Sequence, residues 1–256
     1  MSGQPSGFIW YELAANDLPA AEAFYTGVVG WTVAPSGQPG MDYRIWSAAG
    51  RGMGGLMAAP EGMAPGWYGY VRVDDVDACI ARAVAAGGVV CMPATDLPGV
   101  GRMGMVADPQ GAQIYVMTPQ GEAPPPVAPG TPGHGTWHEL HAADPAAALG
   151  FYGAMLGWVA AGEMDMGPMG TYRMFGSGEG MIGGMMQSAA LGRPMWLYYF
   201  AVEDIDAAMA RVTGAGGAVL HGPQAVPGGG WVIQGRDPQG VAFALVGPRA
   251  AEPLPG

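Results

Sequence analysis

The 256-residue chain is 50% hydrophobic with a formal net charge of −11, enough apolar material for the cores of two small domains. That acidic balance, with a pI near 4.5, argues against nucleic acid or an anionic membrane surface as partner. All ten basic residues are arginine, which removes Schiff-base chemistry and any lysine general base from consideration. No window approaches a membrane span, and residues 1–7 carry no charged stretch followed by an apolar run. Cys79 and Cys91 form neither a disulfide framework nor a metal spacing. They are expected to be small buried hydrophobes in a reducing compartment, which makes a cytoplasmic location the expectation.

In chain order, an extended run over Phe8–Ala15 leads into a helix that Asp17 caps and Pro19 opens. Phe24, Val28 and Val29 are its expected buried stripe and Gly30 its end. Two short strands follow, around Tyr43–Ala48 and Gly54–Ala58. The pattern then restarts with a strand over Tyr68–Val73 and a helix over Val76–Ala86 stopped by Gly87-Gly88. Strands are expected near Val89–Met92, Arg102–Ala107 and Gln113–Met117. Asp108-Pro109-Gln110-Gly111, between the last two, has the residues a type I turn favours. Thr118–Gly135 is dominated by Pro and Gly and predicts a semi-rigid linker with His134 solvated in it. The tail Pro248–Gly256 is expected to fray.

The second half repeats the first. "FIWYELAANDLPAAEAFYTGVVGW" (Phe8–Trp31) aligns with "GTWHELHAADPAAALGFYGAMLGW" (Gly135–Trp158), pairing Trp10 with Trp137 and Glu12 with Glu139. Further on, Tyr43-Arg44 aligns with Tyr172-Arg173, Gly54-Gly55 with Gly183-Gly184, and "VDDVDACIARAVAAGG" with "VEDIDAAMARVTGAGG". "ADPQGAQIYV" aligns with "RDPQGVAFAL". Collinear agreement of this length implies an internal duplication of domain size. The expected division is a module over 1–118, a linker over 119–134, a second module over 135–248 and a tail over 249–256. Each module reads as βαβββ twice, an α+β fold.

The repeated elements "WYELAANDLPAAEAFYTGVVGW", "YVRVDDVDACIARAVAAGG" and "DPQGAQIYV" resemble the vicinal oxygen chelate superfamily. That superfamily includes glyoxalase I, extradiol dioxygenases and fosfomycin- and bleomycin-resistance proteins. The resemblance covers nearly the whole chain outside linker and tail. It implies paired βαβββ units forming a cup, a partly open mixed β-sheet barrel that takes a small molecule, often over a divalent metal. The positions of the family's metal ligands fall at Trp10, Tyr68 and Tyr115 in the first module and Trp137, Leu197 and Ala244 in the second. None is a good ligand, so the resemblance implies that the usual metal site is lost and no cofactor is expected.

"HELH" (His138–His141) has its histidines three apart and precedes the helix start at Asp144-Pro145, so it is read as strand. Alternation puts Trp137, Glu139 and His141 on one face, with His138 and Leu140 on the other, so the two histidines cannot share an ion. The resemblance, which places the Leu of this strand against the helix, implies that Trp137, Glu139 and His141 face into the cup, as do Trp10, Glu12 and Ala14 in the first module. A carboxylate facing an aromatic interior needs a partner. The candidates are Arg44 for Glu12 and Arg173 for Glu139. Each glutamate could be a structural ion-pair member or a general base, and Glu139 with His141 could be two ligands of a displaced metal site. Tyr68, Tyr115, Arg102 and Trp231 complete the candidate ligand contacts, Arg102 and Trp231 occupying equivalent positions. Two functions remain: a glyoxalase-like lyase or isomerase of a small carbonyl compound with Glu12 or Glu139 as base, or a non-catalytic binder that sequesters a cationic or planar aromatic compound. The partner is a small molecule in either case, and the chain is expected to act as a monomer or homodimer.

Overall fold

The computed structural model describes residues 6–249 apart from 39, 123, 179, 189 and 190. The first module holds β1 (Phe8–Ala15), α1 (Leu18–Val29), β2 (Thr32–Pro35), β3 (Arg44–Ala48) and β4 (Arg51–Ala58). It continues with β5 (Gly66–Arg72), α2 (Val76–Ala85), β6 (Val89–Leu97), β7 (Gly101–Ala107) and β8 (Gln113–Pro119). The second module repeats the order in β9 (Gly135–Ala142), α3 (Pro145–Leu156), β10 (Val159–Asp165), β11 (Thr171–Gly176) and β12 (Met181–Gln187). It ends with β13 (Met195–Ala201), α4 (Ile205–Gly214), β14 (Ala218–Ala225), β15 (Trp231–Arg236) and β16 (Ala242–Gly247). This is the α+β chain of four βαβββ units that the duplication implied.

Each module contributes one eight-stranded mixed sheet, ordered β2-β3-β4-β1-β5-β8-β7-β6 in the first and β10-β11-β12-β9-β13-β16-β15-β14 in the second. Neither closes into a barrel. β2 escaped the sequence reading because its four residues are mostly exposed at a sheet edge and carry no apolar alternation. β6 also runs five residues past the expected Met92, through Pro93, with register shifts that accommodate it.

The four helices begin alike. Asp17, Asp75, Asp144 and Asp204 are extended N-caps whose carboxylates accept backbone N–H bonds of the first turn. Gly30 and Gly157 end α1 and α3 in the left-handed conformation, at φ 86° and 76°. On α1 the buried set is Leu18, Ala21, Phe24, Tyr25 and Val28. Tyr25 therefore takes the place expected of Val29, which is half-buried.

By packing, the chain forms two compact units that each combine halves of both modules. One contains Tyr68–Pro125, Trp137–Leu197 and the chain up to Tyr11; the other contains Glu12–Trp67, Pro126–Thr136 and the chain from Tyr198. The Asp-Pro-Gln-Gly turns hold each unit together. In the first, Asp108 accepts the backbone N–H groups of Gln110 and Ala112 on one oxygen and the Tyr152 hydroxyl on the other. Trp196 donates in turn to that hydroxyl at 3.0 Å. Gln110 grips the cap residue of α3, accepting from the Asp144 N–H and donating to its carbonyl. The second unit repeats the arrangement with Asp237, Tyr25, Trp67, and Gln239 on Asp17. Arg82 donates to the Met155 carbonyl at the end of α3, and Arg211 to the Val28 carbonyl at the end of α1. The turn was legible in the sequence, but its function as a clasp between modules was not.

Asp108→Ala would remove an acceptor from two backbone donors and a buried tyrosine hydroxyl, a loss of about 2–3 kcal/mol by ordinary desolvation costs. Urea unfolding of Asp108→Ala and Asp237→Ala should show similar drops in midpoint, because the two aspartates have equivalent partners.

Three smaller expectations change. Cys79 is buried as anticipated, but Cys91 is exposed on β6. His134 is half-buried rather than solvated, since the adjoining linker backbone is tied to Ala201 through Gly133 and His134. The start of the tail is anchored as well. The Pro248 carbonyl accepts from Ile205, and Arg249 pairs with Asp206. The rest of the tail lies outside the described residues.

Candidate functional site

β1 and β9 each end in five consecutive buried residues, which places Glu12 and Glu139 in apolar surroundings. The structure satisfies them differently from the expected Glu–Arg pairs. Tyr43 donates to Glu12 at 3.1 Å and Tyr172 donates to Glu139 at 2.9 Å. Arg44 instead binds Glu22 and Asp42, and Arg173 binds Glu163. The reason is strand parity. Adjacent residues of a strand point to opposite faces, so if the tyrosine of each Tyr-Arg pair meets the glutamate, the arginine must face away.

A glycine makes room for each tyrosine. A Cβ on Gly55 would collide with the Tyr43 ring, and one on Gly184 with the Tyr172 ring. Tyr43, Tyr172 and their glycines are the site residues that the sequence reading missed. Their signal was visible in the duplicated Tyr-Arg and Gly-Gly pairs, but their connection required the fold.

The second module carries this arrangement further. Trp137 Nε1 donates to the Tyr172 hydroxyl at 2.7 Å, and Tyr172 donates to Glu139 Oε2. Glu139 Oε1 lies 2.7 Å from His141 Nε2. Glu139 and His141 are 5% and 2% exposed, and His141 Nδ1 is buried without a hydrogen-bond partner among the described residues. Burial, and then the charge of Glu139, push the Tyr172 phenol far above its ordinary range, so it remains a neutral donor. The expected trio Trp137, Glu139 and His141 is thus brought together, with Tyr172 as its link. In the first module Ala14 stands where His141 would be.

His138 has a different function. Its Nδ1 lies 2.7 Å from the Ile182 carbonyl, so that nitrogen carries the proton, and its Nε2 accepts from Tyr11 at 2.7 Å. Phe8 stacks on the ring at 3.9 Å. With both nitrogens bonded, His138 is a structural residue, as alternation implied.

The remaining candidates divide between the units. Tyr68 and Tyr115 are buried near each other, with Tyr70 stacked on Tyr115 at 4.2 Å. Trp10 is half-buried on β1. Arg102 forms a bidentate pair with Asp77 and a second pair with Asp96, largely in solvent. Trp231 lies under Arg249, whose guanidinium carbon is 4.9 Å from the ring centroid and which binds Asp206, the counterpart of Asp77. Both modules therefore place an arginine on this helix aspartate, supplied from β7 in one and from the chain after β16 in the other. The expected contrast between a cation and an indole is correspondingly smaller.

Comparison with known proteins gives the family and the fold. The family model described as "Glyoxalase/Bleomycin resistance protein/Dioxygenase superfamily" matches residues 7–116 and 136–245, and the chain belongs to that superfamily. A Mycobacterium tuberculosis protein provisionally named glyoxylase CFP32 is 35% identical over 93% of this chain and 94% of its own. The anthracycline biosynthesis protein DnrV of Streptomyces peucetius is 33% identical over 97% of this chain and 96% of its own. Among solved structures, the Mn(II)-bound glyoxalase of Novosphingobium aromaticivorans superposes with a TM-score of 0.62 at 17% identity, covering 96% of this chain and 82% of that one. Homoprotocatechuate 2,3-dioxygenase of Arthrobacter globiformis gives 0.67 at 14% identity, with the same coverage.

The family resemblance implies a metal, and the residues at its ligand positions do not fit one. The positions at which the family resemblance places ligands carry indole, phenol and alkyl groups. Among the described residues no group of three or more His, Cys, Asp or Glu side chains is placed to hold a metal ion. Glu139 and His141 supply two donors and already bind each other.

Proposed function

We propose that the protein binds a small organic molecule and acts as a glyoxalase-like lyase or isomerase on a carbonyl compound, with the Glu139 cluster as its acid–base group. The carrying observation is a buried carboxylate held by a phenol and an imidazole, while the expected Arg173 pairs with Glu163. An arginine would hold such a carboxylate as a fixed charge, whereas an imidazole partner can exchange a proton with it while Tyr172 stays a neutral donor. Glu12, with Tyr43 and with Ala14 at the position equivalent to His141, serves as a polar contact or structural group. The reaction runs without a metal triad or other cofactor, in the cytoplasm, in a monomer or homodimer.

The alternative is sequestration of a planar aromatic compound. Half-buried Trp10 and Trp137 favour it, as does the likeness to proteins named for anthracycline biosynthesis. The deciding experiment measures isomerisation of the hemithioacetal of methylglyoxal and glutathione, with metal content determined on the same untagged protein. Turnover should fall about 100-fold or more in Glu139→Gln at unchanged fold, the usual scale of a lost acid–base group. No turnover, together with tight binding of an anthracycline, would favour the binder. One equivalent of metal lost in Glu139→Gln would contradict the metal-free reading.

A further inference from the structure

We propose that Met164, Met174 and Met186 form the ligand-contact wall of this site, and that they select an uncharged carbonyl compound bearing an aryl group. The inference rests on the catalytic reading above and names the substrate class of the same site.

The wall follows from register. Residues paired across neighbouring strands share a face of the sheet. Glu139 pairs with Gly184, Gly184 with Met174, and Met174 with Gly162. His141 pairs with Met186, and Tyr172 with Met164. Trp137, two residues before Glu139, points the same way and donates to Tyr172. One face of the β9–β12 half-sheet therefore gathers the acid–base cluster, three methionines and an indole.

The two faces of this half-sheet differ in burial. The opposite face carries Leu140, Phe175 and Met185, all fully buried. On the cluster's face Trp137, Met164, Met174 and Met186 are each half-buried, so part of every one of these side chains remains accessible. Gly162 gives Met174 its position, since a Cβ there would lie 2.9 Å from the Met174 methyl. That methyl leans toward β10, whereas Glu139 lies on the other side of the ladder, on β9. The first module is the internal control. Its register puts Ile45, a stiff branched side chain, opposite Ala34 and Gly55. The adaptable thioether thus occurs in the copy that also carries His141.

The chemistry of the wall chooses the ligand. Methionine is unbranched and polarizable, fits irregular shapes and makes favourable sulfur–aromatic contacts. The half-buried indole adds an aromatic surface for stacking. Arg173, the single arginine of these four strands, is on the opposite face and pairs with Glu163. A carboxylate or phosphate on the substrate would find no arginine on the cluster's face and would be repelled by the Glu139 carboxylate. A methyl substituent would leave most of the wall in water. An aryl ketone with its carbonyl end at Glu139 suits both halves of the site.

The test uses wild-type protein labelled with ¹³C in its methionine methyls. The probe is 2-hydroxyacetophenone, compared with its methyl counterpart hydroxyacetone and with the anionic aryl ketone benzoylformate. 2-Hydroxyacetophenone should shift the signals of Met164, Met174 and Met186. Each of the other two should bind at least about tenfold more weakly, the scale of a few lost apolar contacts. Met174→Ile, which installs the first module's residue, should weaken the aryl probe about fivefold and hydroxyacetone less. Equal affinity for the aryl and methyl ketones would overturn the proposal, as would tighter binding of benzoylformate. So would methionine signals unmoved by the probe in protein that isomerises the hemithioacetal, a result that leaves the catalytic reading intact. Shifted signals in protein without that turnover would support the wall and remove the catalytic reading instead. The ligands are compared on wild-type protein, so the test stands even if Met174→Ile fails to fold.

Discussion

Gly184→Ala should destabilise the protein by about 2–3 kcal/mol, the cost of forcing extra volume into a packed core, and should weaken the site as well. The added methyl would overlap the Tyr172 ring at its Cε1, Cζ and hydroxyl atoms. Those atoms cannot move aside while the hydroxyl stays 2.9 Å from Glu139 and 2.7 Å from Trp137. Relief requires Tyr172 to leave, and Glu139 then loses one of its two described donors. Because the clash is with one side chain, it should be conditional. In a Tyr172→Ala background the added cost of Gly184→Ala should fall below about 1 kcal/mol, an interaction energy well above the ~0.5 kcal/mol scatter of independent sites. Denaturant midpoints of the two single mutants and the double mutant measure this directly, and simple additivity would refute the seat. Gly183→Ala is the control, since its Cβ would collide with the His138 backbone carbonyl. No side-chain deletion should rescue it. Gly55 and Tyr43 should repeat the conditional behaviour in the first module.

This seat marks where the sequence stopped being legible. The duplication, the four capped helices and most strands follow from periodicity and cap chemistry, which are local. Alternation along β9 correctly grouped Trp137, Glu139 and His141 and set His138 apart, because parity within a strand is local too. Choosing Tyr172 rather than Arg173 as the partner of Glu139 required parity between strands, and register across a sheet is not written in any strand alone. The same holds for Gln110 and Gln239. Their turn was recognisable, but their grip on helix caps in the opposite module depends on how halves of the two modules combine.

His138 sets the second large expectation, which concerns pH. Burial among Phe8, Tyr11 and neighbouring tryptophans lowers its pKa from 6.5 to about 4, and both nitrogens are committed to neutral-ring hydrogen bonds. The unfolded chain therefore binds a proton that the folded chain refuses between these two values. The stability His138 confers is fully present above pH 6.5 and is lost progressively as pH falls toward 4, reaching about 3 kcal/mol at that limit. Asp108 and Asp237 act with the opposite sign. Burial raises their pKa values, so their folded-state penalty eases on acidification and blunts the net loss. Comparing the wild type with His138→Leu at each pH cancels the aspartates. The stability difference between the two proteins should shrink steadily from pH 7 to pH 4 in urea titrations. A constant difference would mean that the folded protein accepts the charged ring, and the pairing of Tyr11 with His138 would then need a different proton arrangement.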